Sequence, residues 1–227
     1  MFETIARVSI PDHVFTQLRE AILSGRYRPG ERLPSQRALA AELQVNMASV
    51  REALGRLEQL RLVEVRHGEA TRVLDWRHSG GLDALVLRGS ADDRELLRDL
   101  FEARRLLLVE VARLAAERRS HEQAAALAQL AAAIAAADDD ETALLADWAF
   151  MNALVAAARN LVFQLVMNSV RELYLPHASA FAALVSDRAR LAGLYARVAE
   201  AVRARDAAGA AAAVDELATG QGRSVLR

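Results

Sequence analysis

The chain has 227 residues, of which 53% are hydrophobic but only 5% aromatic, so it can bury a sizeable core built mainly from Leu, Val and Ala. It has no cysteine, which excludes disulfides and thiolate metal sites, and no apolar run approaches the ~18–20 residues of a membrane span. The formal charge of −1 hides an asymmetry: residues 1–77 carry twelve Arg against ten acids, the remainder seventeen Arg against twenty acids, and Lys is absent; a net +2 at the N-terminal end permits nucleic-acid binding without requiring it.

Residues 11–25, PDHVFTQLREAILSG, set Val14, Leu18 and Ile22 at helical spacing, with Pro11 suited to the first turn and Gly25 to the stop. Pro29-Gly30 is a turn signal, and Leu33-Pro34 reads as extended. Ser35 can cap a short helix through Leu43. After a turn at Gln44–Asn46, Asn46 caps a helix to about Leu60. LVEVRHGEATRV alternates apolar and polar residues on either side of His67-Gly68-Glu69, the pattern of a β-hairpin. Helix, short helix, turn, helix and hairpin in about 65 residues make a winged helix-turn-helix. Its second helix turns Val50, Leu54 and Leu57 inward. Asn46, Met47, Ala48, Ser49 and Arg51 cluster near the end from which a recognition helix contacts base edges.

DWRHSGG, residues 75–81, reads as a linker. Everything beyond it reads as helix, near residues 92–119, 121–137, 140–158, 160–175, 187–205 and 207–219, with Ala-rich tracts that favour helix. The expected fold class is therefore mainly α: a winged helix-turn-helix over residues 1–74, the linker at 75–81, and an all-helical ligand-binding and dimerisation domain over 82–227. The N-terminus lacks the basic-then-apolar order of a signal peptide. A cytoplasmic protein with no membrane partner is the expectation.

The continuous stretch GRYRPGERLPSQRALAAELQVNMASVREALGRLEQLRLVEVRHGEATRVLDW resembles the DNA-binding domain of GntR-family transcription regulators. LRDLFEARRLLLVEVARLAAER and DWAFMNALVAAARN resemble the first long helix and the fourth-helix signature of the FadR-type effector domain. The resemblance implies a dimeric bacterial regulator that binds a palindromic operator. It implies DNA contacts by Arg37, Asn46, Ser49, Arg51, His67 and Gly68. Arg51 suits a bidentate contact to guanine, and Arg37 a phosphate or a guanine edge. Asn46 and Ser49 offer hydrogen bonds and helix-end amides to phosphate, and Gly68 lets the wing tip turn tightly. One departure stands out: the recognition helix opens NMAS, where the FadR type has a threonine-rich run with an added arginine, so Met47 and Ala48 cannot make those polar contacts.

In the helical half, three apolar stripes carry polar residues. Arg104 falls among Leu97, Leu100, Leu108 and Val111; Asp147 among Leu144, Met151, Leu154 and Ala158; Tyr195 among Leu191, Val198 and Val202. Asn168 lies at the edge of another stripe. A buried charge costs several kcal/mol unless it is paired, so Arg104 and Asp147 are expected to meet each other, a ligand or trapped water. The alternatives are a structural ion pair and a pocket for an anionic effector lined by Arg104, Asp147, Asn168 and Tyr195. Many relatives of such a domain bind a divalent metal with one Asp and three His. By register Asp147 survives, while Met151, Tyr195 and Leu217 stand at the histidine positions, so no metal and no cofactor is expected. The resemblance leaves an acyl-CoA or fatty acid and a small carboxylate as candidate effectors. HExxH, GxSxG and P-loop patterns are all missing from the sequence, so an enzyme is not expected. A constitutive DNA-binding dimer without an effector is the alternative function.

Overall fold

A computed structural model describes residues 9–66, 70–82, 94–174 and 181–226. The chain divides into two compact units, one within residues 1–89 and one within 90–227.

The first unit opens with α1 (Ile10–Leu23), set by a capping box: the Ser9 hydroxyl accepts from the Asp12 N–H, and the Asp12 carboxylate accepts from the Ser9 N–H. The Ser9 hydroxyl and the Arg56 guanidinium, 2.6 Å from the carboxylate, hold the Asp12 pKa down to about 2. Arg56 also stacks 4.1 Å from the Phe15 ring centroid, which ties α3 to α1. Helices α2 (Gln36–Glu42) and α3 (Met47–Gln59) start at Ser35 and Asn46 as their sequence caps predict. Strands β1 (Val63–Glu64) and β2 (Arg72–Val73) pair antiparallel, Val63 facing Val73. Residues 30–33 run along the free edge of β2, where the Gly30 N–H donates to Val73 O at 2.8 Å and the Leu33 N–H to Thr71 O at 2.9 Å. Val14, Leu18, Ile22, Leu33, Leu39, Val50, Leu54, Leu57, Leu62 and Val73 form the core.

The expected linker at 75–81 contains a short helix, α4 (Trp76–Ser79), capped by Asp75. Trp76 packs on the core of the first unit, and the Ser79 hydroxyl donates to Arg61 O at 3.0 Å. An apolar indole has more to gain against that core than in water, so this stretch folds onto the winged domain.

The second unit consists of α5 (Arg94–Arg118), α6 (His121–Ala135), α7 (Asp140–Ala157), α8 (Leu161–Tyr174), α9 (Arg188–Ala204) and α10 (Ala207–Val225). Ser120, Asp139, Asp187 and Asp206 cap α6, α7, α9 and α10. Helix α5 packs against α7, α9 and α10, and α6 against α7 and α9. Where α9 ends, Arg205 takes a left-handed conformation with φ 59°. The buried Arg119 Nε donates to Val202 O at 3.2 Å and its Nη2 to Arg203 O, so a fixed cation answers carbonyls that the helix end leaves free.

One boundary differs from the sequence reading. The last helix was expected to stop at residue 219, before Gly220-Gln221-Gly222, but α10 continues to Val225. Its continuation is packed: a Cβ on Gly222 would sit 3.5 Å from the Phe101 Cβ. The packing of this last turn against α5 outweighs the low helix propensity of its glycines. Among the described residues no helix is long and apolar enough to cross a membrane.

Candidate functional site

The outer face of α3 is open to solvent, and a polar cluster is buried inside the helical unit. On α3, the Asn46 Oδ1 accepts from the Ser49 N–H at 2.8 Å, which fixes where the helix begins. Val50, Ala53, Leu54 and Leu57 face the core. Met47, Ala48, Arg51 and Glu52 are exposed. Arg37 is exposed on α2, and among the described residues neither it nor Arg51 takes part in an ion pair. Both guanidinium groups are thus available to phosphate or base edges. Ser49 departs from the expectation of a phosphate contact. It is only 6% exposed, and its amide is already taken by Asn46. Ser49, Ala53 and Leu57 are spaced i, i+4, i+8, so the core stripe itself could have placed Ser49 inward. The expected contacts His67 and Gly68 lie outside the described residues.

The second site gathers four side chains from four helices. Asp147 on α7 is 2% exposed, inside an otherwise apolar core. The Tyr195 hydroxyl on α9 donates to Asp147 Oδ1. Gln221 on α10 sends its Nε2–H groups to Asp147 Oδ1 at 3.2 Å and to the Tyr195 oxygen at 2.9 Å. Arg104 Nη2 on α5 stands 4.0 Å from Asp147 Oδ1. Phe150 meets Tyr195 edge to face, centroids 4.9 Å apart, and steers the phenol toward Asp147.

Arg104 and Asp147 thus meet, as one of the expected alternatives had it, but at 4.0 Å. The carboxylate is answered first by a phenol and an amide, with Arg104 beyond hydrogen-bond range. Asn168 is not in the cluster. It is exposed on α8, and its Oδ1 accepts from Gln164 Nε2 at 3.2 Å. Gln221 was missed because its Gly-x-Gly setting reads as a helix end. The helical spacing from Leu217 to Gln221, one turn, was the available signal.

The donor set does not fit a divalent cation. Met151, Tyr195 and Leu217, at the expected histidine positions, are buried, and Asp147 is the only carboxylate among these four side chains. A thioether, a phenol already engaged and an alkyl chain cannot complete a zinc or nickel shell. Among the described residues no three His, Cys, Asp or Glu side chains converge on a metal-sized site. Two polar atoms in this region remain buried with no hydrogen-bond partner among the described residues: Arg104 Nη1, a donor, and Gln221 Oε1, an acceptor. Buried polar atoms are rarely left so.

Residues 11–73 match the family model "Bacterial regulatory proteins, gntR family", and residues 99–219 match the FCD domain. The chain is 35% identical to the HTH-type transcriptional regulator Mce2R of Mycobacterium tuberculosis, over 95% of this chain and 91% of that one. It is 27% identical to the fatty acid metabolism regulator protein of Escherichia fergusonii, over 81% and 77%. Among solved structures, a GntR protein of Streptococcus agalactiae matches with a TM-score of 0.53 at 25% identity, over 94% of this chain and 99% of that one.

Proposed function

This chain belongs to the gntR family of bacterial regulatory proteins and carries an FCD effector-binding domain, and on that premise we propose that it binds a palindromic operator as a homodimer, with its DNA affinity set by a small anionic metabolite. The transcription-regulator assignment rests on the family and its relatives, not on catalysis. The proposal adds the operator contacts, the dimer and the effector.

In the proposed DNA complex, α3 enters the major groove, Arg51 reads a guanine, and Arg37 clamps a phosphate or a second guanine edge. Asn46 organises the helix start and offers its amide N–H to phosphate. His67 and Gly68 bring the wing tip to the backbone. Ser49 acts indirectly, as part of the helix start.

The effector half is carried by one observation: a donor on Arg104 and an acceptor on Gln221, both buried and unpartnered around Asp147. A ligand oxygen carrying negative charge would complete Arg104, and a ligand or water donor would complete Gln221. An acyl-CoA or fatty acid and a small carboxylate both bring such an oxygen, and the fatty acid metabolism regulator among the relatives keeps the first in view. Because four helices meet at the cluster, a ligand that favours one arrangement of them shifts the balance between DNA-competent and incompetent forms. A second reading is favoured by the bonds that Asp147 already has with Tyr195 and Gln221: a purely structural cluster in a constitutive DNA-binding dimer.

The DNA half is tested by salt. If the dimer neutralises ~6 phosphates, log K for a duplex selected from a random library falls against log salt with a slope near about −5. A slope near zero would refute phosphate-anchored binding.

A further inference from the structure

We infer that Met47 is a base-reading residue: with Ala48 it packs on the C5-methyl group of a thymine in the major groove, next to the guanine read by Arg51. This rests on the reading that α3 enters the groove.

Met47 is 44% exposed and forms no part of the core of its unit. It occupies the first position of α3, one helical turn before Arg51, so the two side chains share one side of the helix. Ala48 beside it is exposed as well. The rest of the exposed face is charged or polar, with Arg51, Glu52, Glu58 and Gln59. A large apolar side chain at the leading end of such a face gains nothing from water.

What it could meet in DNA is restricted. A thioether is at best a weak acceptor, so Met47 cannot anchor phosphate or pair with a base amine. The major groove presents one apolar feature, the C5-methyl of thymine, and small or flexible apolar side chains recognise it. The unbranched Met side chain adapts to such a surface. The polar run expected at the helix start is thus replaced by an apolar pair, which exchanges hydrogen-bond readout for methyl readout. The operator then carries thymine beside the guanine of each half-site.

The test uses the full chain. Duplexes are selected from a random library, and each thymine of the enriched site is replaced in turn by uracil, which removes the C5-methyl alone. Fluorescence anisotropy gives the affinity of the wild type, Met47→Ala and Met47→Leu. At one thymine beside the guanine that Arg51→Ala ceases to discriminate, uracil weakens wild-type binding about four-fold, the worth of one buried methyl. Met47→Ala loses that sensitivity, and Met47→Leu keeps it. If uracil costs the same in Met47→Ala as in wild type at every position, or costs nothing anywhere, the inference is wrong while DNA reading by α3 stands. If no duplex is enriched, the DNA reading itself fails and takes this inference with it.

Discussion

Asp147→Ala is expected to destabilise the helical unit by about 3–5 kcal/mol, the range for breaking a buried charge arrangement from one side. The substitution strips the acceptor from the Tyr195 hydroxyl and from one Gln221 N–H, and leaves the Arg104 guanidinium facing an apolar gap. Asp147→Asn keeps the acceptor oxygen and removes only the charge. It is expected to cost about 1–2 kcal/mol, the difference between charged and neutral hydrogen bonds. Urea unfolding followed by Trp148 fluorescence, in a Trp76→Phe background, reads the helical unit alone because the chain has two Trp. Equal losses for the two variants would show that the acceptor oxygen is not what holds the cluster.

Arg51→Ala is expected to weaken binding to the selected duplex by about 1–3 kcal/mol and to relax the preference at one base pair of each half-site. The argument is positional. Asn46 fixes the first turn of α3, the core face is locked by Val50, Leu54 and Leu57, and Arg51 is held outward with no ion pair to break among the described residues. Its whole guanidinium is free for a bidentate contact, so little is lost before the complex forms. Arg37→Ala separates the two roles open to Arg37: a phosphate clamp weakens all sequences alike, whereas a guanine contact relaxes a second position. A selected sequence preference unchanged in Arg51→Ala would remove Arg51 from the base-reading set.

The winged domain was legible because its signals are local. Ser35 and Asn46 sit where caps are needed, and Val14, Leu18 and Ile22 repeat with the helix. The helical unit was legible in outline for the same reason, and Asp147 announced itself as a carboxylate on an apolar stripe. Its partners did not. They lie 48 and 74 residues away, and nothing in local periodicity says which polar residue on another helix will meet a given charge. Arg104 could be paired with Asp147 on charge and does stand 4.0 Å away, but the hydrogen bonds come from a phenol and an amide. Gln221 was hidden further by its flanking glycines, which mark a helix end in isolation, whereas α10 runs on past them with Gly222 against Phe101. Trp76 shows the same limit: a short stretch rich in turn formers became a helix because a core was there to receive its indole.

These particulars converge on a DNA-reading helix in one unit and an incompletely satisfied polar cluster in the other. The most direct measurement is the affinity of the full chain for its selected duplex in the presence of each of a panel of carboxylates, fatty acids and acyl-CoAs, repeated with Arg104→Leu. At least one compound is predicted to change the wild-type affinity by about 5- to 150-fold, the usual span of allosteric coupling, and to leave the affinity of Arg104→Leu unchanged. A wild-type affinity that no compound in the panel moves, or a shift that persists in Arg104→Leu, would contradict an effector site built on this cluster.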